Sequence, residues 1–155
     1  MVLILFLKLN LTGSSGNFVT DIFFTEFSSQ GLDPGYDASL LGREAPAFSV
    51  YSLLVQDDTG IPFAIQALGE NDYTDITVPL GVNANQGEQL TFSISESALP
   101  NTVDVYLEDN VTNTFTLLNS GDYILTPSEN LNGSGRFFLN FTKTSFTCGF
   151  TTRST

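Results

Sequence analysis

Leucine occupies every second position from Leu3 to Leu11, while Val2, Ile4 and Phe6, then Lys8 and Asn10, fill the alternate positions. A period of two belongs to the extended chain, whose side chains point alternately to opposite faces. The spacing predicts a strand buried on both faces at its start and on one face at its end. The same rhythm returns at Leu90, Phe92 and Ile94, at Val103, Val105 and Leu107, and at Phe137, Leu139 and Phe141. Further strands are expected over about 18–27, 48–56, 62–68, 74–79, 112–118 and 122–126.

Turn-forming clusters separate these runs: Gly13-Ser14-Ser15-Gly16, Asp33-Pro34-Gly35, Asp57-Asp58-Thr59-Gly60, Asn119-Ser120-Gly121 and Asn132-Gly133-Ser134-Gly135. No segment sustains an apolar period of 3.6 with caps, so helix is expected only as a turn or two within Ala38 to Leu41. About ten short strands at close spacing predict an all-β chain, an antiparallel two-sheet β-sandwich of jelly-roll or Greek-key style. The 14 phenylalanines supply most of its core. One domain is expected over residues 1–144, followed by a C-terminal tail over 145–155. The long connection from Ser28 to Ala47 is expected to wrap over a sheet edge. Were the apolar run Val2 to Leu7 an unpaired edge, it would invite pairing with another chain.

Charge narrows the function classes. The 155 residues include 17 acidic and 5 basic side chains, a net charge of -12. Nucleic-acid binders need a Lys/Arg surface to displace counterions, and anionic membranes repel an acidic one, so neither is an expected partner. With 41% apolar and 14% charged residues the chain can bury a core rather than stay disordered. The apolar run Val2 to Leu7 is too short to span a bilayer, and it lacks the basic start and cleavage site of a signal peptide. An export signal already removed, or an internal fragment, is the expectation that follows.

The chain has no histidine and one cysteine, Cys148. A serine or cysteine nucleophile would therefore lack its usual base, and histidine- or all-cysteine zinc sites are excluded. Carboxylates are the remaining chemistry. Asp33 and Asp37 around a Pro-Gly turn, and Glu70, Asp72 and Asp75, gather hard oxygens on loops that suit Ca²⁺, which is the one candidate cofactor. Asp also favours turns through its own backbone hydrogen bonds, so the same residues serve equally as solvated turn formers. Tyr36 and Tyr73, in loops beside these carboxylates, are candidate sugar-stacking residues; alternatively they cap the sandwich edge with their hydroxyls in water. Arg136, one of few cations, is expected to pair with Glu108 or Asp109 and clamp neighbouring segments.

The stretch VYLEDNVTNTFTLLNSGDYILTPSENLNGSGRFFLNFT (Val105 to Thr142), with LNLTGSSGNFVTDIFFTEFSSQGLDPGYDASL (Leu9 to Leu40), FAIQAL and VPLGV, carries a resemblance. It resembles a β-sandwich domain near the C-termini of large proteins that Bacteroidota export by type IX secretion, many of them surface adhesins, gliding proteins or polymer-degrading enzymes. The resemblance implies architecture and a secreted or cell-surface location, and it carries no catalytic or ligand residues. In that family a separate sorting segment commonly follows, and Ser145 to Thr155 does not read as one. The expected function is a non-catalytic structural or presentation module of a secreted surface protein, or a subunit of an extracellular assembly. Its partners would be other domains of the parent protein or copies of itself. The alternatives are a calcium-assisted carbohydrate-binding module, with polysaccharide as partner, and a small polysaccharide-degrading enzyme.

Overall fold

The structure, a computed structural model, describes residues 4–144. The positions before Ile4, the 145–155 tail and Cys148 lie outside the described residues. Eleven strands follow one another: β1 (Leu5–Gly13), β2 (Gly16–Thr25), β3 (Ala38–Ser39), β4 (Ser49–Ser52), β5 (Phe63–Gly69), β6 (Asp75–Ala84), β7 (Leu90–Ser97), β8 (Val103–Asp109), β9 (Thr114–Leu117), β10 (Tyr123–Leu125) and β11 (Leu131–Lys143). The described residues contain no α-helix, only 3-10 turns at Leu41–Arg43 and Asp72–Thr74. Ala38–Ser39, where a helical turn was expected, is instead a short strand on β5, and the turn is displaced beyond it.

Hydrogen bonding runs along one path, β10-β7-β1-β2-β5-β4-β6-β11-β8-β9, with β3 beside β5. The result is a nearly closed, barrel-like sheet. The chain was expected to be antiparallel throughout, and one junction corrects this: β2 and β5 run parallel, Asp21 opposite Ile65 through Thr25 opposite Gly69. A parallel neighbour needs a crossover of a dozen residues or more, and the long connection that follows β2 supplies it. β1 is an interior strand, with β2 on one side and β7 on the other, so the apolar N-terminal run is no edge from Leu7 onward.

The period-two pattern sets the core. Leu7, Leu9 and Leu11 of β1, Val78 and Leu80 of β6, Phe92 of β7, Val105 of β8 and Leu139 of β11 are all fully buried. Phe24 packs edge-on against Phe141 at a centroid distance of 5.2 Å, and Phe92 packs at a tilt against Phe137 at 5.1 Å. On the outer side of the β1–β2 hairpin, Phe6 stacks on Phe23 and Lys8 pairs with Asp21 at 3.0 Å.

β11 starts at Leu131, so the expected Asn132–Gly135 turn is part of a strand. The register slips between Ser134 and Phe137, and Gly133 and Gly135 have φ of 109° and 106°. Glycine adopts such angles without a Cβ clash, so the segment reads as a turn by composition yet forms a bulge within the ladder.

Gly81 is required for a different reason. A Cβ there would overlap Cε2 and Cζ of Tyr51 on the neighbouring β4, whose ring lies over the glycine. Tyr51 is 7% exposed and packs against Leu40 and Leu53, so the ring has little room to withdraw. Gly81→Ala is expected to destabilise the fold by ~1–3 kcal/mol, the usual range for overpacking. In chemical denaturation, Gly81→Ala should cost much less in a Tyr51→Ala background than in the parent chain, because the ring it meets is gone. Equal stability of Gly81→Ala and the parent chain would show that the ring moves freely.

Candidate functional site

The two ends of the sheet path, β9 beside β8 and β10 beside β7, are not joined by a backbone ladder. They meet through side chains around Asp109. Val103, Val105, Leu107 and Asp109 alternate as the inward row of β8, so the strand's own periodicity carries a carboxylate into the core. Its side chain is 1% exposed. Arg136, in the bulged segment of β11, donates from Nε to Asp109 Oδ1 at 2.8 Å and from a terminal guanidinium nitrogen to Oδ2 at 2.9 Å. Tyr123 of β10 donates its hydroxyl to Oδ2 at 2.7 Å, and the backbone N–H of Val111 donates to Oδ1 at 3.1 Å. The guanidinium also lies 5.0 Å from the Phe137 ring centroid. One carboxylate thereby links β8, β10, β11 and the β8–β9 turn.

Burial pushes the Asp109 carboxyl up. The hydrogen bonds from Arg136, Tyr123 and Val111, with the guanidinium charge, outweigh that effect and hold it below its ordinary value. Glu108, the other sequence candidate, faces the opposite side of β8 and accepts from the Asn140 amide at 3.2 Å.

The loop carboxylates are engaged by the chain's own donors. Asp33 accepts from the N–H and hydroxyl of Ser29 at 2.7 and 2.9 Å. Asp37 accepts from the Asp33 N–H at 2.7 Å and, through its other oxygen, from the Ala67 N–H at 2.7 Å, tying the loop to β5. Burial pushes the Asp37 carboxyl up; the two N–H donors offset part of this, and the charge of Asp33 adds to it. Asp72 accepts from the Gly69 N–H at 2.8 Å and the Gln30 amide at 3.3 Å. Glu70 and Asp75 are exposed. Among the described residues no three His, Cys, Asp or Glu side chains converge as metal ligands would.

The two candidate tyrosines part company. Tyr73 packs into the core edge-on to Phe24, at 5.9 Å. Tyr36 is 46% exposed, stacks on Phe27 at 6.3 Å and borders a shallow cavity of about 230 Å³ that includes Ile4, Phe23 and Ile65. Sequence reasoning missed Glu88. It is 8% exposed and receives the Ser15 N–H at 2.6 Å and the hydroxyls of Ser14 and Ser15, closing the β1–β2 hairpin turn. Nothing in the local sequence signals it, because donors and acceptor are over seventy residues apart.

Fold and site together define a single-sheet, barrel-like all-β module whose buried carboxylate serves its own closure. Residues 7–141 match the family described as "Domain of unknown function (DUF8693)", and the chain belongs to that family. No curated protein and no solved structure matches it.

Arg136→Met leaves the Asp109 carboxylate buried beside Tyr123 and Val111 alone, and is expected to destabilise by ~3–5 kcal/mol, as removal of one partner from a buried pair does. Because the folded Asp109 carboxyl titrates below its unfolded value, its contribution is present above about pH 4 and is lost as pH falls through the folded value. Asp37, raised on folding, contributes with the opposite sign, losing stability as pH rises through its folded value. Urea melts of the parent and Arg136→Met chains should therefore differ at pH 7 and converge towards pH 2. A constant difference across that range would refute the assignment.

The engaged loop carboxylates also carry an expectation about calcium. A cation bound only by the folded form at a hundred times its Kd would add about 2.7 kcal/mol. With Asp33, Asp37 and Asp72 already bonded to N–H donors, melts in millimolar calcium and in EDTA should coincide. A rise in calcium that Asp72→Asn or Asp33→Asn abolishes would establish a site.

Proposed function

We propose that the chain is a non-catalytic structural or presentation module of a secreted, surface-exposed protein, acting within one parent chain or as a subunit of an extracellular assembly. The observation that carries this reading is the use made of the acidic groups. The fully buried carboxylate of Asp109 closes the barrel, and Asp33, Asp37, Asp72 and Glu88 close loops and turns. A sheet paired around almost its whole circumference is rigid, which suits a spacer or display element. The absence of histidine from the sequence leaves serine without its usual general base, which also favours a passive role. The resemblance to domains near the C-termini of type IX secretion substrates supports a surface location, and the net charge of -12 suits solubility there.

Carbohydrate binding is the second reading, and one observation favours it. Phe27 and Tyr36 present a stacked, exposed aromatic pair at 59% and 46% exposure. Aromatic faces of this kind can stack on sugar rings.

Two measurements test these readings. Antibodies against the chain should label intact cells of the source organism, and the purified chain should leave polysaccharide, peptide and phosphate-ester substrates intact. Signal only in the cytosolic fraction, or turnover of any of these substrates, would overturn the module reading. On a glycan array, binding that Tyr36→Ala abolishes would move the assignment to the second reading.

A further inference from the structure

A second cavity, of about 210 Å³, opens between the loop before β4 and the loop before β5. It is smaller than the ~300 Å³ at the low end of drug-sized sites, so it suits one compact molecule. Leu32 and Ile61 form an accessible apolar wall backed by Leu54 and Phe63, and Arg43, Asp57 and Asp37 add charge. Leu54 and Phe63 are 4% and 3% exposed, which anchors this wall to the fold.

The charges of Arg43 and Asp57 border one small space without neutralising each other. Among the described residues the ion pairs are Lys8–Asp21 and Arg136–Asp109. The backbone at both positions is unusual as well. Arg43 has φ of 57° directly after Gly42 at 74°, and Asp57 has φ of 59°. Such angles are uncommon outside glycine, and two of the three non-glycine residues that adopt them among the described residues flank this one cavity. Asp37 is held by two backbone N–H groups and serves as wall, adding negative potential to the cavity.

Elimination narrows the ligand. A simple anion would meet two carboxylates, and a simple cation would leave Arg43 unmatched. A sugar would find no exposed aromatic face, since Phe63 is buried. A molecule with one charge of each sign and an aliphatic body matches every wall.

We propose that this cavity binds a small apolar amino acid as its zwitterion, with the carboxylate on Arg43, the ammonium on Asp57 and the aliphatic side chain against Leu32 and Ile61. This site is separate from the Asp109 closure and from the Phe27–Tyr36 pair, and it stands whether or not the module reading does.

Calorimetric titration of the chain with L-leucine, L-isoleucine and L-valine tests it, beside leucinamide, which lacks the carboxylate, N-acetyl-leucine, which lacks the ammonium, and glucose. At least one of the three amino acids should bind saturably, and both leucine derivatives should bind at least about tenfold more weakly than leucine, as loss of a charged hydrogen bond implies. Arg43→Gln should abolish the preference for leucine over leucinamide. Asp57→Asn should abolish the preference over N-acetyl-leucine, and asparagine tolerates the positive φ there. If a variant fails to fold, the derivatives decide the matter on the parent chain. No saturable binding of any of the three amino acids, equal binding of leucine and its derivatives, or binding of glucose alone would overturn the proposal.

Discussion

A carboxylate taken out of water must be matched by donors, and Asp109 is the place where this constraint governs the whole sheet. It occupies a position that hydrophobic alternation would give to another valine or leucine. There it draws in Arg136 from β11, Tyr123 from β10 and a backbone N–H from the turn after β8. An apolar residue at the same place would pack, but it would give β10 no reason to lie against the β8–β9 turn. The polar cluster specifies which edges meet. Its geometry makes this an all-or-none arrangement, since withdrawing any donor leaves the acid both buried and under-satisfied.

The rest of the barrel supports that junction. β11 has β6 on one flank and β8 on the other, so the bulge that carries Arg136 is braced on both sides. Opposite it, Gly81 lets Tyr51 lie across β6, and Glu88 gathers the β1–β2 turn. Each device joins elements distant in sequence. Asn119 works in the same way, its amide spanning the Val105 N–H and the Val103 carbonyl where β9 no longer covers β8.

The strands were legible because burial on one face leaves a period-two trace, clearest in Leu7, Leu9 and Leu11 and in Val103, Val105 and Leu107. That same row ends at Asp109; the scarcity of cations brought Arg136 into consideration with Glu108 or Asp109, and the inward face of β8 decides between them. The parallel pairing of β2 with β5 was not legible, because alternation encodes which face is buried and says nothing of strand direction. The Asn132–Gly135 segment misled for a related reason. Glycine marks any backbone with positive φ, and a bulge and a turn share that signature. Tyr73 and Tyr36 looked equivalent as loop tyrosines; only packing against Phe24 separates them. The cavity between Arg43 and Asp57 left no local trace, because its walls come from segments that meet only after folding.

The position of β1 between β2 and β7 has a consequence for synthesis. The ribosome releases β1 and β2 together, and their hairpin can form early, with Ser14 and Ser15 at its tip. The other flank of β1 pairs with Leu90–Ser97, which emerges far later. Until then a leucine-rich strand presents unpaired amides and carbonyls, the arrangement most prone to joining a neighbouring chain. The long ring-closing contacts also place this topology among the slower folders. A nascent chain of this design is therefore most exposed to misassembly during translation, at the strand that the finished barrel protects best.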